Sequence, residues 1–230
     1  MNYIQQAYKG ELGMWKYLII PILFFGLMGL NFLAIAILDI DVEEIIQKEI
    51  EAKGANRFLV ESLIPFAIGL GVVFFWVKFV HKQSITALTT ARKKIDWKRI
   101  FFSFGLWTLF TVVILGIDYF SAPENYQWNF ELKPFLILCV IAVILVPIQT
   151  SFEEYFFRGY LMQGLGVAFK NRWVPLFLTS TIFGLLHLGN PEVAKLGNLI
   201  MVYYIGTGFF LGILTLMDEG VELAIGFHAA

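Results

Sequence analysis

Long, nearly uncharged apolar runs constrain this chain more than any other feature of it. Residues 15–38, 58–80 and 101–120 each hold twenty or more consecutive positions with almost no ionisable side chain. A helix rising about 1.5 Å per residue crosses a hydrocarbon core of about 30 Å in about 20 residues. Only a helix or a closed barrel satisfies its own backbone groups in lipid. A fourth run starts near Pro134, where proline suits a first helical turn, and continues to about Gly164. Others extend from Trp173 to about Leu188, from Asn198 to about Met217, and onward from Val221. The expected fold is an all-α, polytopic transmembrane helix bundle of seven or eight helices, one integral membrane domain over residues 1–230. Composition agrees, with 58% hydrophobic and 15% charged residues against roughly 25% charged in a soluble domain.

The charges outside the runs set topology. Residues 81–100 carry Lys82, Arg92, Lys93, Lys94, Lys98 and Arg99, and Lys170 and Arg172 follow the fourth run, which predicts a cytoplasmic position for both. Residues 39–57 carry Asp39, Asp41, Glu43, Glu44, Glu49 and Glu51 against Lys48, Lys53 and Arg57, and are expected outside. The N-terminus is then cytoplasmic, in a bacterial cell membrane, with the first run a retained anchor. Trp15, Trp76, Trp97, Trp128 and Trp173 stand near helix ends as interfacial anchors. A net charge of −1 and the lack of a basic, aromatic-interleaved patch argue against a nucleic-acid partner. The lone Cys139 offers neither a disulfide nor a thiolate metal site. Residues 221–230 reach only about 15 Å as a helix, so the chain is expected to continue, with a polar side chain at position 232.

Three charges break the fourth run, in the stretch SFEEYFFRGYL at residues 151–161. An ionisable group within a bilayer is expensive and normally faces the protein interior with a partner. Glu154 and Arg158 are four apart with the acid first, the favourable order for a helical ion pair. Glu153 lies about 100° around the helix, beyond that pairing, and is the candidate functional group. His187 and His228 fall in later apolar runs. At about 1.5 Å per residue, Glu153, His187 and His228 stand about 18, 21 and 12 Å from the cytoplasmic side, so they can line one cavity reached from there. The bland alternative solvates the three charges at a helix end, with Arg158 snorkelling. A carboxylate with two imidazoles suits a zinc site with one open position for water, and a second carboxylate can take the water's proton. No HExxH helix is present. Neither Cys139 nor any serine has a nucleophile setting, and Asp39 and Asp118 sit at outer helix ends.

In this order the residues resemble the CPBP or Abi intramembrane proteases, which include the type II CAAX prenyl endopeptidases and bacteriocin-processing or immunity proteins. That family's pattern is EExxxR, then FxxxH, then a C-terminal HxxxN or similar. Here EEYFFR supplies Glu153, Glu154 and Arg158, FGLLH supplies Phe183 and His187, and His228 stands where the last histidine is expected. The similarity covers residues 134–230, the motif-bearing core. It implies metal-dependent proteolysis inside the bilayer, zinc being the expected divalent ion. Glu153 and His187 would activate water, His228 would bind metal or stabilise the oxyanion, and Glu154 and Arg158 would orient the site. The implied partners are the lipid bilayer and a membrane-embedded or lipidated peptide or protein substrate, with a further membrane protein partner for a member that does not cleave. A non-catalytic scaffold or immunity protein is the alternative, and a proton-coupled carrier a third reading, without the broken helices of transporter repeats. Gly208 and Gly212 form a GxxxG suited to close helix packing. Tyr155, Phe156 and Phe157 suit either packing or a groove for a prenyl chain.

Overall fold

A computed structural model describes residues 1–230, the side chain of Ala194 excepted. The chain is all-helical. The first two long spans are α1 (Met14–Ile37) and α3 (Ala55–Phe75), joined on the acidic side by α2 (Val42–Lys53). The acidic connection is thus itself a helix. Asp41 caps it by accepting from the Glu44 amide at 3.0 Å, and Gly54, at φ 84°, ends it in a backbone region open to glycine. A π-helical turn, Trp76–Val80, extends α3, and α4 (Ile85–Thr89) leads to the third span, α5 (Trp97–Ser121).

The fourth apolar run is one continuous helix, Leu132–Phe169, longer than its apolar pattern indicates. It comprises α6 (Leu132–Glu154), a π-helical turn Tyr155–Leu161 and α7 (Met162–Phe169). Pro147 lies inside α6, where it has no N–H to give the Val143 carbonyl, and Thr150 donates to the carbonyls of Val146 and Pro147 at 3.1 and 3.3 Å.

The fifth apolar run is shorter than expected. Helix α8 (Trp173–Leu185) gives way to a 3-10 turn at Leu186–Gly189, so His187 stands on that turn and not within the α-helix. Pro191 is the reason: it holds Asn190 extended, at φ −74° and ψ 141°, and opens α9 (Pro191–Leu196). The last elements are α10 (Ile200–Asp218) and α11 (Glu222–His228). Five helices are long and apolar enough to cross a membrane, and Trp173–Gly189 is a shorter apolar one.

Packing between these helices depends on absent side chains. A Cβ on Gly208 would lie 2.5 Å from the Ser180 carbonyl oxygen, so α8 and α10 approach closely there, as GxxxG implied. A Cβ on Gly226 would fall 2.0 Å from the Ile100 carbonyl oxygen, which seats α11 against α5.

On the basic side the chain builds a polar cap that no apolar pattern announces. The N-terminal 3-10 segment Ile4–Lys9, α4 and the turn between α10 and α11 meet over α7. Tyr3 donates to the Leu88 carbonyl at 2.7 Å, Gln83 to Gln163 at 2.9 Å, and the Val221 amide to the Thr89 carbonyl at 2.9 Å. Trp76 belongs to this region as well, half-buried, with its indole donating to the Lys16 carbonyl at 3.0 Å.

Candidate functional site

Directly before the π-helical turn, α6 ends on Glu153 and Glu154. The turn keeps Arg158 one wide turn ahead, with its Nη1 donating to Glu154 Oε1 at 3.0 Å and both side chains fully buried. Arg158 Nη2 donates to the Gly208 carbonyl at 3.0 Å, an acceptor it shares with Ser180 at 2.9 Å. The Arg158 guanidinium also lies 4.2 Å from the centroid of Phe183, a desolvated cation–π contact. These contacts exclude the surface-solvated reading of the three charges. The pairing deduced from helical spacing is the one observed.

Phe183 is the hub of the site. The His187 and His228 rings lie 5.0 and 5.8 Å from its ring. His187 donates from Nδ1 to the Phe183 carbonyl at 2.8 Å and stacks on Tyr204 at 4.4 Å. His228 donates from Nδ1 to Glu154 Oε1 at 2.8 Å, and its Nε2 stands 3.7 Å from Glu153 Oε2. An imidazole whose Nδ1 carries the donated hydrogen leaves Nε2 with its lone pair, the form that takes protons or binds metal. Glu154 therefore serves Arg158 and His228 together, and Glu153 keeps Oε2 free toward His228.

A cavity of about 620 Å³ lies beside Glu153, bounded by α1, α3, α6 and the turn after α8. Phe24, Phe66, Phe152 and Phe157 make most of its wall apolar, whereas Glu153 and His187 share one end. His228 stands behind Glu153, outside the lining. Tyr155 and Phe156 are core residues, and of the three adjacent aromatics only Phe157 reaches the cavity. The lining also includes Asn31, Phe32 and Asn190, toward the ends of α1 and α8 that meet α2 and α9. The cavity thus extends to the acidic side of Glu153 and not to the basic side, where access was expected. The cap and the buried side chains of Phe156, Tyr160 and Leu161 fill the basic side.

Three polar residues of this site escape motif reasoning. Gln149 donates to Glu153 Oε1 at 3.1 Å from one turn earlier in α6. Asn190 donates to the Tyr204 hydroxyl at 3.4 Å, and Asn31 stands in the cavity wall from α1. A polar amide within an apolar run was the available signal for Gln149 and Asn31. For Asn190 it was the position before proline.

The donor set of Glu153, His187 and His228, one carboxylate with two imidazoles, suits a divalent cation in its chemistry, and each imidazole has its Nδ1 engaged by a neighbouring oxygen. Among the described residues, no three His, Cys, Asp or Glu side chains stand together as a metal-holding group.

With that geometry in place, the chain can be set beside known proteins. Residues 132–230 match the family described as type II CAAX prenyl endopeptidase Rce1-like. Over 240 aligned residues the chain is 31% identical to the uncharacterized protein YyaK of Bacillus subtilis (strain 168), covering 100% of this chain and 79% of that protein. The chain belongs to the Rce1-like family. It is an integral membrane protein of the CAAX-protease-like type. The residues matched by the family contain all six motif side chains, and the first three spans lie outside the match. No solved structure matches the chain.

Proposed function

We propose that this Rce1-like chain is an intramembrane endopeptidase that cleaves a membrane-associated or lipidated peptide by attack of an activated water, with a divalent cation, zinc, as its cofactor. The observation that carries this reading is the Glu153 carboxylate beside His187 at the polar end of an apolar cavity, with His228 held by Glu154 within 3.7 Å of Glu153. A peptide bond bound at that end meets the Glu153 carboxylate and the His187 imidazole beside an apolar wall, the setting in which acid–base catalysis is effective.

Each residue has a task set by its contacts. Glu153, with Oε1 held by Gln149, presents Oε2 as the proton acceptor for water. His187 shares the cavity lining with Glu153, and with its Nδ1 engaged by the Phe183 carbonyl it would offer Nε2 to the same chemistry. His228, oriented by Glu154, lies within reach of Glu153 and can receive or return a proton. Arg158 neutralises Glu154 and fixes its position against the Gly208 carbonyl. Glu153, His187 and His228, which do not stand together as a ready-made group, would have to draw in around the cation to hold it, and the bound ion would lower the pKa of water and polarise a carbonyl. The Glu154–Arg158 pair would serve a scaffold equally, so it is Glu153, outside that pair and on the cavity wall beside His187, that favours catalysis over a purely structural role.

The test is cleavage of prenylated and unmodified membrane peptides by the purified protein in lipid. Activity should disappear with a chelator and return with added zinc. Cleavage that is indifferent to the chelator would remove the cation from the account. An absence of cleavage of any membrane peptide by fully folded protein would favour the scaffold.

A further inference from the structure

The cavity wall carries three carboxamide side chains, Asn31 of α1, Gln149 of α6 and Asn190 beyond α8, in a lining otherwise dominated by Phe, Leu, Met and Pro. Polar side chains inside a bilayer protein are costly unless they have partners. Gln149 gives one hydrogen to Glu153, Asn190 makes a 3.4 Å contact with Tyr204, and Asn31 makes no side-chain hydrogen bond among the described residues. Each amide, exposed at Asn31 and half-buried at Gln149 and Asn190, therefore retains donor or acceptor capacity on the cavity wall. A hydrocarbon chain has no use for these groups. An extended peptide does: once unwound from a helix, every residue exposes an N–H and a C=O that lipid cannot satisfy. The position of the lining along its helices adds a direction. From Glu153 it runs to Asn31, Phe32 and Asn190, next to α2 and α9, which the Lys195–Glu43 ion pair links at 3.1 Å.

We propose that this cavity is a binding site for an extended, unwound segment of a membrane-protein substrate, reached from the α2 side, with Asn31, Gln149 and Asn190 pairing its backbone. The proposal deepens the peptidase reading, on which it rests for cleavage. The side of access and the grip on the backbone are read without turnover.

The test uses cysteine labelling of the full chain in oriented proteoliposomes, with Cys139, the lone native cysteine, replaced by alanine. Met28→Cys reports the cavity wall, while Glu43→Cys on α2 and Lys93→Cys in the basic loop mark the two sides. Met28→Cys should react with an impermeant maleimide from the Glu43 side. Reaction only from the Lys93 side, or from neither side, overturns the proposal. A ten-residue apolar peptide should then slow that reaction at least about fivefold, whereas its fully N-methylated form and a long-chain alcohol should not. Equal protection by the alcohol would make the site a hydrocarbon pocket and refute the backbone grip. Asn31→Leu or Asn190→Leu should each weaken the peptide's protection about two- to tenfold, as loss of one hydrogen bond does. Protection unchanged in both variants would also refute it. Labelling as expected with no cleavage would leave this site standing and defeat only the peptidase reading.

Discussion

Replacing Arg158 with methionine removes one member of an ion pair from which water is wholly excluded. Glu154 keeps a charge that only the His228 Nδ1–H then satisfies, and its Oε2 already has no partner among the described residues. Breaking a buried pair from one side costs about 3–5 kcal/mol. The lost cation–π contact with Phe183 adds to this, by roughly 1–2 kcal/mol when desolvated. Glu154→Gln leaves Arg158 uncompensated and should cost a similar amount, so this variant loses stability before it reports on chemistry. In the double variant both charges are gone, and the carboxamide oxygen introduced at position 154 still accepts from His228. Its destabilisation should be smaller than the sum of the two single variants by at least about 2 kcal/mol. Equilibrium unfolding in mixed micelles measures all four proteins. A single variant within about 0.5 kcal/mol of the parent, or strict additivity in the double, would show that the pair is solvated and that the structural reasoning is wrong.

Gly208→Ala should destabilise by about 1–3 kcal/mol, because its Cβ would meet a backbone oxygen and not a flexible side chain; thermal unfolding checks it. His187→Gln should reduce cleavage by about 10²–10⁴-fold with stability little changed, since the ring sits at the cavity wall; loss of folding instead would make it a packing residue. Glu11, exposed at the basic surface, has its carboxyl held down to about 2, first by hydrogen bonding from Lys16 and then from Lys82. A depressed acid stabilises above its unfolded value, so protection of the N-terminal amides by this cluster should be full above about pH 4.5 and fade as pH falls toward about 2. Hydrogen exchange reads it, and because the group is exposed the effect should shrink with added salt.

The membrane spans were legible because lipid leaves a chain few options: apolar runs of span length must be helices. The Glu154–Arg158 pair was legible for a similar reason, since helical spacing fixes which carboxylate an arginine four residues on can reach. What escaped has local or tertiary causes. Pro191 shortens the α8 region through its constraint on Asn190, a one-residue effect inside an apolar run. The π-helical turn at Tyr155–Leu161 has no periodic signature distinguishable from α-helix over seven residues. The basic-side cap is held by Tyr3, Gln83 and Gln163, which bond across long sequence separations, so no spacing rule links them. Because the cap could not be foreseen, neither could the direction of the cavity. The second duty of Glu154, orienting His228, required both the pair and the position of α11 against α5 to be known.

The central claim is that Glu153 is the water-activating base, and the cleavage rate of Glu153→Gln beside the parent, at equal amounts of folded protein, tests it most directly. The substitution preserves size, and the new carboxamide can still contact Gln149 and His228, but it cannot accept the water's proton. Turnover should fall about 10²–10⁴-fold with the unfolding transition retained. Turnover within about threefold of the parent would show that another group does the chemistry.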